Sequence, residues 1–300
     1  MSSPVSTIDV AQAATGKEEP SPNDGWRTGG LPALRAELDR IDNAIHDLLM
    51  QRAEIVEYVA RSGKPAAFRP GREASIIRRL VGRHQGALPP VALVRIWREL
   101  LAGTTGMQGG LSLAVCDSEA GVPLTQLARE HFGALTPLRT YAKPGQALFD
   151  VSQGAASVAI LPYPSDLENW WVALLHQEPR LHIIARLPFW KPRPEGFPSA
   201  EALVVASAAP DASEQDQSFL GLECDSDVSR TKLSSELTAA GLKPETMVLI
   251  RQPGSPVANV LVEVEGFLSD DDDRLNHLGS VLRRPVVLGG YAVPLQGNTR

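Results

Sequence analysis

Apolar residues recur at Leu34, Leu38, Ile41, Ile45, Leu48, Ile55 and Val59, in steps of three, four and, once, seven. That spacing predicts one long helix over 34–59 with a single buried stripe. Arg52 fills the remaining slot in the series, between Leu48 and Ile55. A charge in such a stripe is costly unless a partner neutralises it. Arg52 is therefore a core arginine paired to an internal carboxylate, a side chain that snorkels outward, or one of several cations turned toward an anion. Arg35 opens the same helix and Arg72-Glu73 opens the next, which suggests arginines gathered around an anion.

Ser62-Gly63 and Pro65 end the first helix, and Arg69-Pro70-Gly71 turns into a second one over 72–84, with Ile76, Ile77, Leu80 and Val81 on its apolar side. Pro89-Pro90 suits the first turn of a third helix carrying Leu93, Ile96, Trp97, Leu100 and Leu101. Thr104 and Gln108 continue that helix, one turn at a time, on the side of Leu100. Residues 1–30, rich in Ser, Pro, Gly and Glu, have no apolar period and read as a disordered tail.

Beyond residue 110 the period changes. Short apolar runs at 111–116, 155–161 and 181–187 alternate with helix-like segments at 123–132 and 167–175, which predicts an α/β domain over 109–209 with a partly parallel sheet. Residues 192–198 read as a surface loop and 208–217 as a linker. From Ser218 the elements run strand (219–224), helix (229–240), strand (247–250), strand (260–264), helix (273–282), strand (285–293). That is a ferredoxin-like βαββαβ order over 218–295. The predicted fold is thus multidomain: a three-helix all-α domain over 31–108, a small α/β domain and a ferredoxin-like domain.

Charge sharpens this picture. The 300 residues carry a net charge of −6 and only 5% aromatics, which excludes a chain built for nucleic acid. Within 31–108, however, twelve basic residues face eight acidic ones. A basic segment in an acidic protein points to a small acidic ligand or to a solvated face. Cys116 and Cys224 lack metal or redox spacing and read as reduced core residues. The six histidines (46, 84, 131, 176, 182 and 277) show no ligand spacing and read as surface or satisfied residues. The aspartates at 270–273 lack the spacing of a calcium loop and read as a solvated turn. No apolar run reaches membrane-spanning length and no signal-peptide core is visible, so the expected location is cytoplasmic, without membrane partner, metal or cofactor.

Leu34-Arg35, Ile41-Asp42, Leu48-Leu49 with Gln51-Arg52, Arg72-Glu73 and Ile96-Trp97-Arg98-Glu99-Leu100 together resemble the all-helical chorismate mutase family over 31–108. The resemblance implies an intertwined homodimer and chorismate as substrate. It further implies that Arg35 reaches a carboxylate in the partner chain's site, that Arg52 holds one in its own, and that Arg72 lies close by. Glu73 would accept the substrate hydroxyl, Thr104 stands where the family has a small hydroxyl residue, and Gln108 matches a donor to the ether oxygen. The family lysine would fall at Gly63, and Lys64 stands one residue later. An aspartate three residues before the Arg-Glu pair is here Arg69. The chemistry suits these residue types: an intramolecular rearrangement needs a held dianion and donors at the breaking ether bond, not a nucleophile.

Residues 126–133 and 158–162 are similar to parts of prephenate dehydratase. Ser118-Glu119-Ala120, Pro164-Ser165 and Gln217-Ser218-Phe219 depart from that family's motifs, the last where its catalytic threonine belongs. Dehydratase activity is therefore not expected, and this domain reads as degenerate. The final unit resembles an ACT domain, with 287–291 as its last strand, although Ser229-Arg230-Thr231-Lys232 and 249–253 replace the ligand motifs. An aromatic amino acid effector stands there against a purely dimerising or scaffolding module. Three functions follow: a chorismate mutase, a bifunctional mutase–dehydratase, or a non-catalytic regulator binding chorismate or an amino acid.

Overall fold

The computed structural model describes residues 29–62, 68–117 and 124–297. Lys64, the predicted tail up to residue 28 and the Ser118-Glu119-Ala120 turn lie outside the described residues. Helix α1 (Gly30–Arg61) is one uninterrupted run of 32 residues, longer at both ends than its apolar period predicts. Its surface carries local ion pairs, Arg40 with Glu37 at 2.7 Å and Arg61 with Glu57. The stripe that the sequence predicts to be buried is exposed: Leu38 retains 60% and Leu48 64% of its accessible surface, and no residue of α1 is buried. Arg52 is half-buried.

The chain divides into two compact units at Ile55/Val56. The second unit contains α2 (Pro70–Gly82), α3 (Pro90–Gly106) and a nine-stranded sheet. Each helix opens on a proline, where the missing N–H costs nothing and φ is already helical. Helix α2 begins two residues before and ends two residues before its predicted bounds. Helix α3 stops at Gly106, so Gln108 sits in the following turn and not one helical turn beyond Thr104 as the spacing predicts. Glycines at 103, 106, 109 and 110 explain the early end, and Gly109 and Gly110 take positive φ.

The strands are β1 (Leu113–Cys116), β2 (Leu138–Tyr141), β3 (Val158–Pro162), β4 (His182–Leu187), β5 (Trp190–Lys191), β6 (Ala202–Ala206), β7 (Asp216–Asp225), β8 (Pro244–Arg251), β9 (Val257–Glu265), β10 (Arg283–Ala292) and β11 (Leu295–Gln296). Helices α4 (Leu124–Phe132), α5 (Pro144–Ser152) and α6 (Arg230–Ala239) intervene. The large sheet runs β2-β1-β3-β6-β4-β10-β7-β9-β8. Strand β1 is parallel to β2 and β3, β4 is parallel to β10, and the other neighbours are antiparallel, so the sheet is partly parallel as predicted.

The last four strands, β10-β7-β9-β8, have the ferredoxin-like order, and α6 closes them with Leu233 and Leu237 against Leu220, Leu222, Val260 and Val262. Two corrections apply. The helix expected over 273–282 is a single 3-10 turn, Asp273–His277: the Asp272 carboxylate binds both the backbone N–H and the guanidinium of Arg274, which favours a capped turn. The segment 208–217 is more than a linker, because Ser213 and Asp216 are buried and β7 already begins at Asp216.

The ferredoxin-like strands and the preceding α/β strands share one sheet, joined where β4 meets β10. Glu263, only 1% exposed, lies across this join. It accepts from Tyr163 at 2.9 Å, Thr246 at 2.8 Å and Arg186 at 3.0 Å, and touches the Tyr291 hydroxyl. Burial and the adjacent Glu263 charge push the Tyr163 phenol up to about 12. A carboxylate so surrounded satisfies the requirement that buried charge be paired and bonded. Cys116 and Cys224 are buried free thiols, and burial raises the first to about 11. Among the described residues no helix is long and apolar enough to cross a membrane.

The join depends on Gly289, whose φ is +124° and whose missing side chain lets β10 approach Ile183. A Cβ there would collide with the Ile183 carbonyl oxygen. Gly289→Ala should therefore lose about 2–5 kcal/mol, from backbone strain and overpacking together. Denaturant unfolding of the purified variant checks this, and stability unchanged from wild type would contradict it.

Candidate functional site

The first turn of α2 is held from a distance in sequence. The backbone N–H groups of Gly71 and Arg72 donate to the Asp211 carboxylate at 2.9 and 3.1 Å, and the Arg69 guanidinium lies 3.4 Å from it. Asp211 thus supplies the anion that a helix N-terminus favours, in the coil that the sequence reads as linker. Gly71 is required because a Cβ would collide with the Asp211 carbonyl oxygen. Further along α2, Arg78 donates to the Ser213 and Val293 carbonyls at 3.0 and 2.7 Å and to Gln215 at 2.8 Å. Four bonds, counting the Ser213 hydroxyl at 2.8 Å, fasten the helix to the strand side of the unit.

Glu73 is buried at the next position of this turn and accepts from Arg98 of α3 at 3.1 Å. Arg98 is 4% exposed, and its guanidinium lies 4.7 Å from the centre of the Phe189 ring. Burial lowers its pKa to about 10, with Glu73 working in the opposite direction. Thr104, also buried, donates back to the carbonyls of Leu100 and Leu101 at 2.9 and 3.1 Å, the usual bond of a hydroxyl within a helix. Arg72 is exposed. Helices α2 and α3 share an apolar core with strand residues: Ala74, Ile77, Val94 and Leu101 pack with Phe189, Trp190 and Ala292.

Residues 34–109 match the protein-family model described as chorismate mutase type II. The matched residues are those of the first three helices. Curated relatives extend the likeness past them. The chain is 27% identical over 147 residues to a bifunctional chorismate mutase/prephenate dehydratase of Stutzerimonas stutzeri, covering 46% of this chain and 40% of that one. It is 31% identical over 100 residues to the enzyme of the same description from Neisseria gonorrhoeae, covering 33% and 27%. The match thus spans less than half the length of these relatives. Among solved structures, a prephenate dehydratase from Streptococcus mutans aligns at 14% identity with a TM-score of 0.44, over 62% of this chain and all of that one. A chain described as GqqA, a quorum quenching acylase, aligns at 17% identity and 0.48, over 60% and 95%.

Within the matched residues, Arg72 and Glu73 lie side by side on α2, while Thr104 lies on α3 and Gln108 just beyond its end. Arg35 and Arg52 lie on α1, in the other compact unit. Arg98 was missed as a candidate, although it stands within the run that carries the resemblance. Its signal was present: an arginine four residues after Val94 and three before Leu101, on the buried side of α3. Among the described residues no group of three or more His, Cys, Asp or Glu side chains is placed to hold a metal ion.

His131 of α4 corrects the reading of the histidines as surface or satisfied. It is 7% exposed, and its Nε2 has no hydrogen-bond partner among the described residues. Burial, and then the Arg98 charge, hold its pKa well below 6.5. The unfolded imidazole takes a proton near pH 6.5 and the folded one only at much lower pH. The stability due to the neutral ring is therefore complete above pH 6.5 and falls as pH drops below it, by about 1.4 kcal/mol per unit. Unfolding free energies measured between pH 7.5 and 5 should show this slope in wild type and a shallower one in His131→Gln. Equal slopes would contradict the assignment.

Proposed function

We propose that this protein is a chorismate mutase working as a homodimer, with Arg35, Arg52, Lys64, Arg72, Glu73, Thr104 and Gln108 as its site residues. The observation that carries the reading is the type II mutase match over 34–109, in a segment where the arginines and apolar residues agree in register. Arginine forks suit the two carboxylates of chorismate, and donors at the ether oxygen stabilise charge that grows as the bond breaks.

The geometry of α1 supports the dimer. Arg35 and Arg52 are seventeen positions apart on one helix, which places them about 25 Å apart along its axis. One small dianion cannot touch both from the same chain. If both serve one site, they come from different copies. The exposed stripe of α1 supports the same conclusion, because a helix with an apolar face needs another surface to bury it. A second copy of α1 supplies that surface with matching periodicity and satisfies the isologous rule of two-fold dimers.

A dehydratase in addition to the mutase is the second reading, favoured by the description of the relatives. Ser218 weighs against it: this buried hydroxyl donates to the Gly266 carbonyl and accepts from the Leu268 N–H, both at 2.9 Å, as part of the strand framework. An aromatic amino acid effector at the ferredoxin-like unit belongs to the same reading of the chain as a cytoplasmic biosynthetic enzyme.

Two experiments test the proposal. Purified protein given chorismate should form prephenate without phenylpyruvate, and Arg52→Ala should lower the rate by about 10² to 10³. Chorismate binding without turnover would instead support the non-catalytic regulator, and phenylpyruvate would support the bifunctional enzyme. Mixing inactive Arg35→Ala with inactive Arg52→Ala should restore about a quarter of wild-type activity, because half the dimers then carry one intact composite site. No recovery after subunit exchange would overturn the shared site.

A further inference from the structure

A cavity of about 270 Å³ opens between α3, α4 and the chain that follows β4. Its walls are mostly apolar and aromatic, with Val91, Leu127, Phe189, Trp190 and Phe197 among them. A dry cavity of about 150 Å³ already holds a benzene ring, so this one has room for a ring with a short substituent. The charged groups that line it are three arginines and one carboxylate, Glu130. Arg193 is paired with Glu130 at 2.6 Å, and Arg98 with Glu73. Arg95 lies over the Phe197 ring at 5.6 Å and has no carboxylate partner among the described residues. Three guanidiniums against two carboxylates leave one positive charge at the cavity.

A carboxylate offers the acceptors that a guanidinium N–H requires and the charge that Arg95 lacks. An aromatic ring suits the remaining walls, where offset or edge contacts with Phe189 and Trp190 are available.

We propose that this cavity is a binding site for a small aromatic monocarboxylate, separate from the residues assigned to the mutase reaction. Arg95 at its rim pairs with the carboxylate, and the apolar walls hold the ring. Because Arg98 also holds Glu73, occupancy should be felt on α2. That coupling rests on the mutase reading above, whereas binding itself does not.

The probe is 3-phenylpropionate, titrated calorimetrically into the full chain, with 3-phenylpropanol and propionate as controls lacking the charge or the ring. Wild type should bind the probe saturably in the micromolar to millimolar range, and both controls at least ten-fold more weakly. Arg95→Gln, altered only at the rim, should weaken the probe at least ten-fold. Val91→Trp, which fills the cavity, should abolish binding while its thermal unfolding remains cooperative. No saturable binding in wild type, equal binding of the alcohol, or undiminished binding in both variants would overturn the site. Binding as expected in a protein without mutase turnover would leave the site standing and remove only its coupling to Glu73.

Discussion

A guanidinium that leaves water must find acceptors, and the second unit of this chain is organised around one buried arginine, Arg98, and two partly buried ones, Arg78 and Arg186. Arg78 reaches carbonyls at 213, 215 and 293, Arg98 reaches Glu73, and Arg186 bridges Glu201 and Glu263. Each of these arginines fastens elements that are far apart in sequence. Desolvation makes such groups poor sources of net stability, but removing either partner leaves an uncompensated charge. The bonds therefore act chiefly as registration: they permit one seating of α2 on the strands and one crossing of the sheet.

Helices α2 and α3 bury their apolar sides against Phe189, Trp190 and Ala292, strand-side residues roughly one to two hundred positions later in the chain. Helix α1 keeps its own stripe exposed. The two helices that carry Arg72, Glu73 and Thr104 are anchored to the sheet, while Arg35 and Arg52 lie on α1.

The sheet shows a similar difference between pattern and packing. The ferredoxin-like order was legible because its strands alternate and its turns are marked, as at Val260, Val262 and Val264. Its fusion with the preceding strands was not, because only one paired position, Gly289 with Ile183, makes the join. Strand β6 escaped notice for another reason. Its five residues, Ala202 to Ala206, are all buried, so the run has no alternation to read. Strand β2 is a polar edge, Leu138-Arg139-Thr140-Tyr141, and gives no signal of burial at all.

What the sequence determined by itself were the properties that depend on local period and residue type. These include the long α1, the prolines that start α2 and α3, the four strands of the final unit with the helix after the first of them, and the register of arginines and apolar residues over 31–108. Tertiary structure alone decided what each of those elements touches. Asp211 caps α2 across 140 residues, Arg98 takes Glu73, His131 is buried beside a cavity, and the apolar residues of α1 are exposed. The physical reason is range. Periodicity reports which face of an element avoids water, whereas the partner of a buried charge is set by whichever acceptor the folded chain brings within about 3 Å.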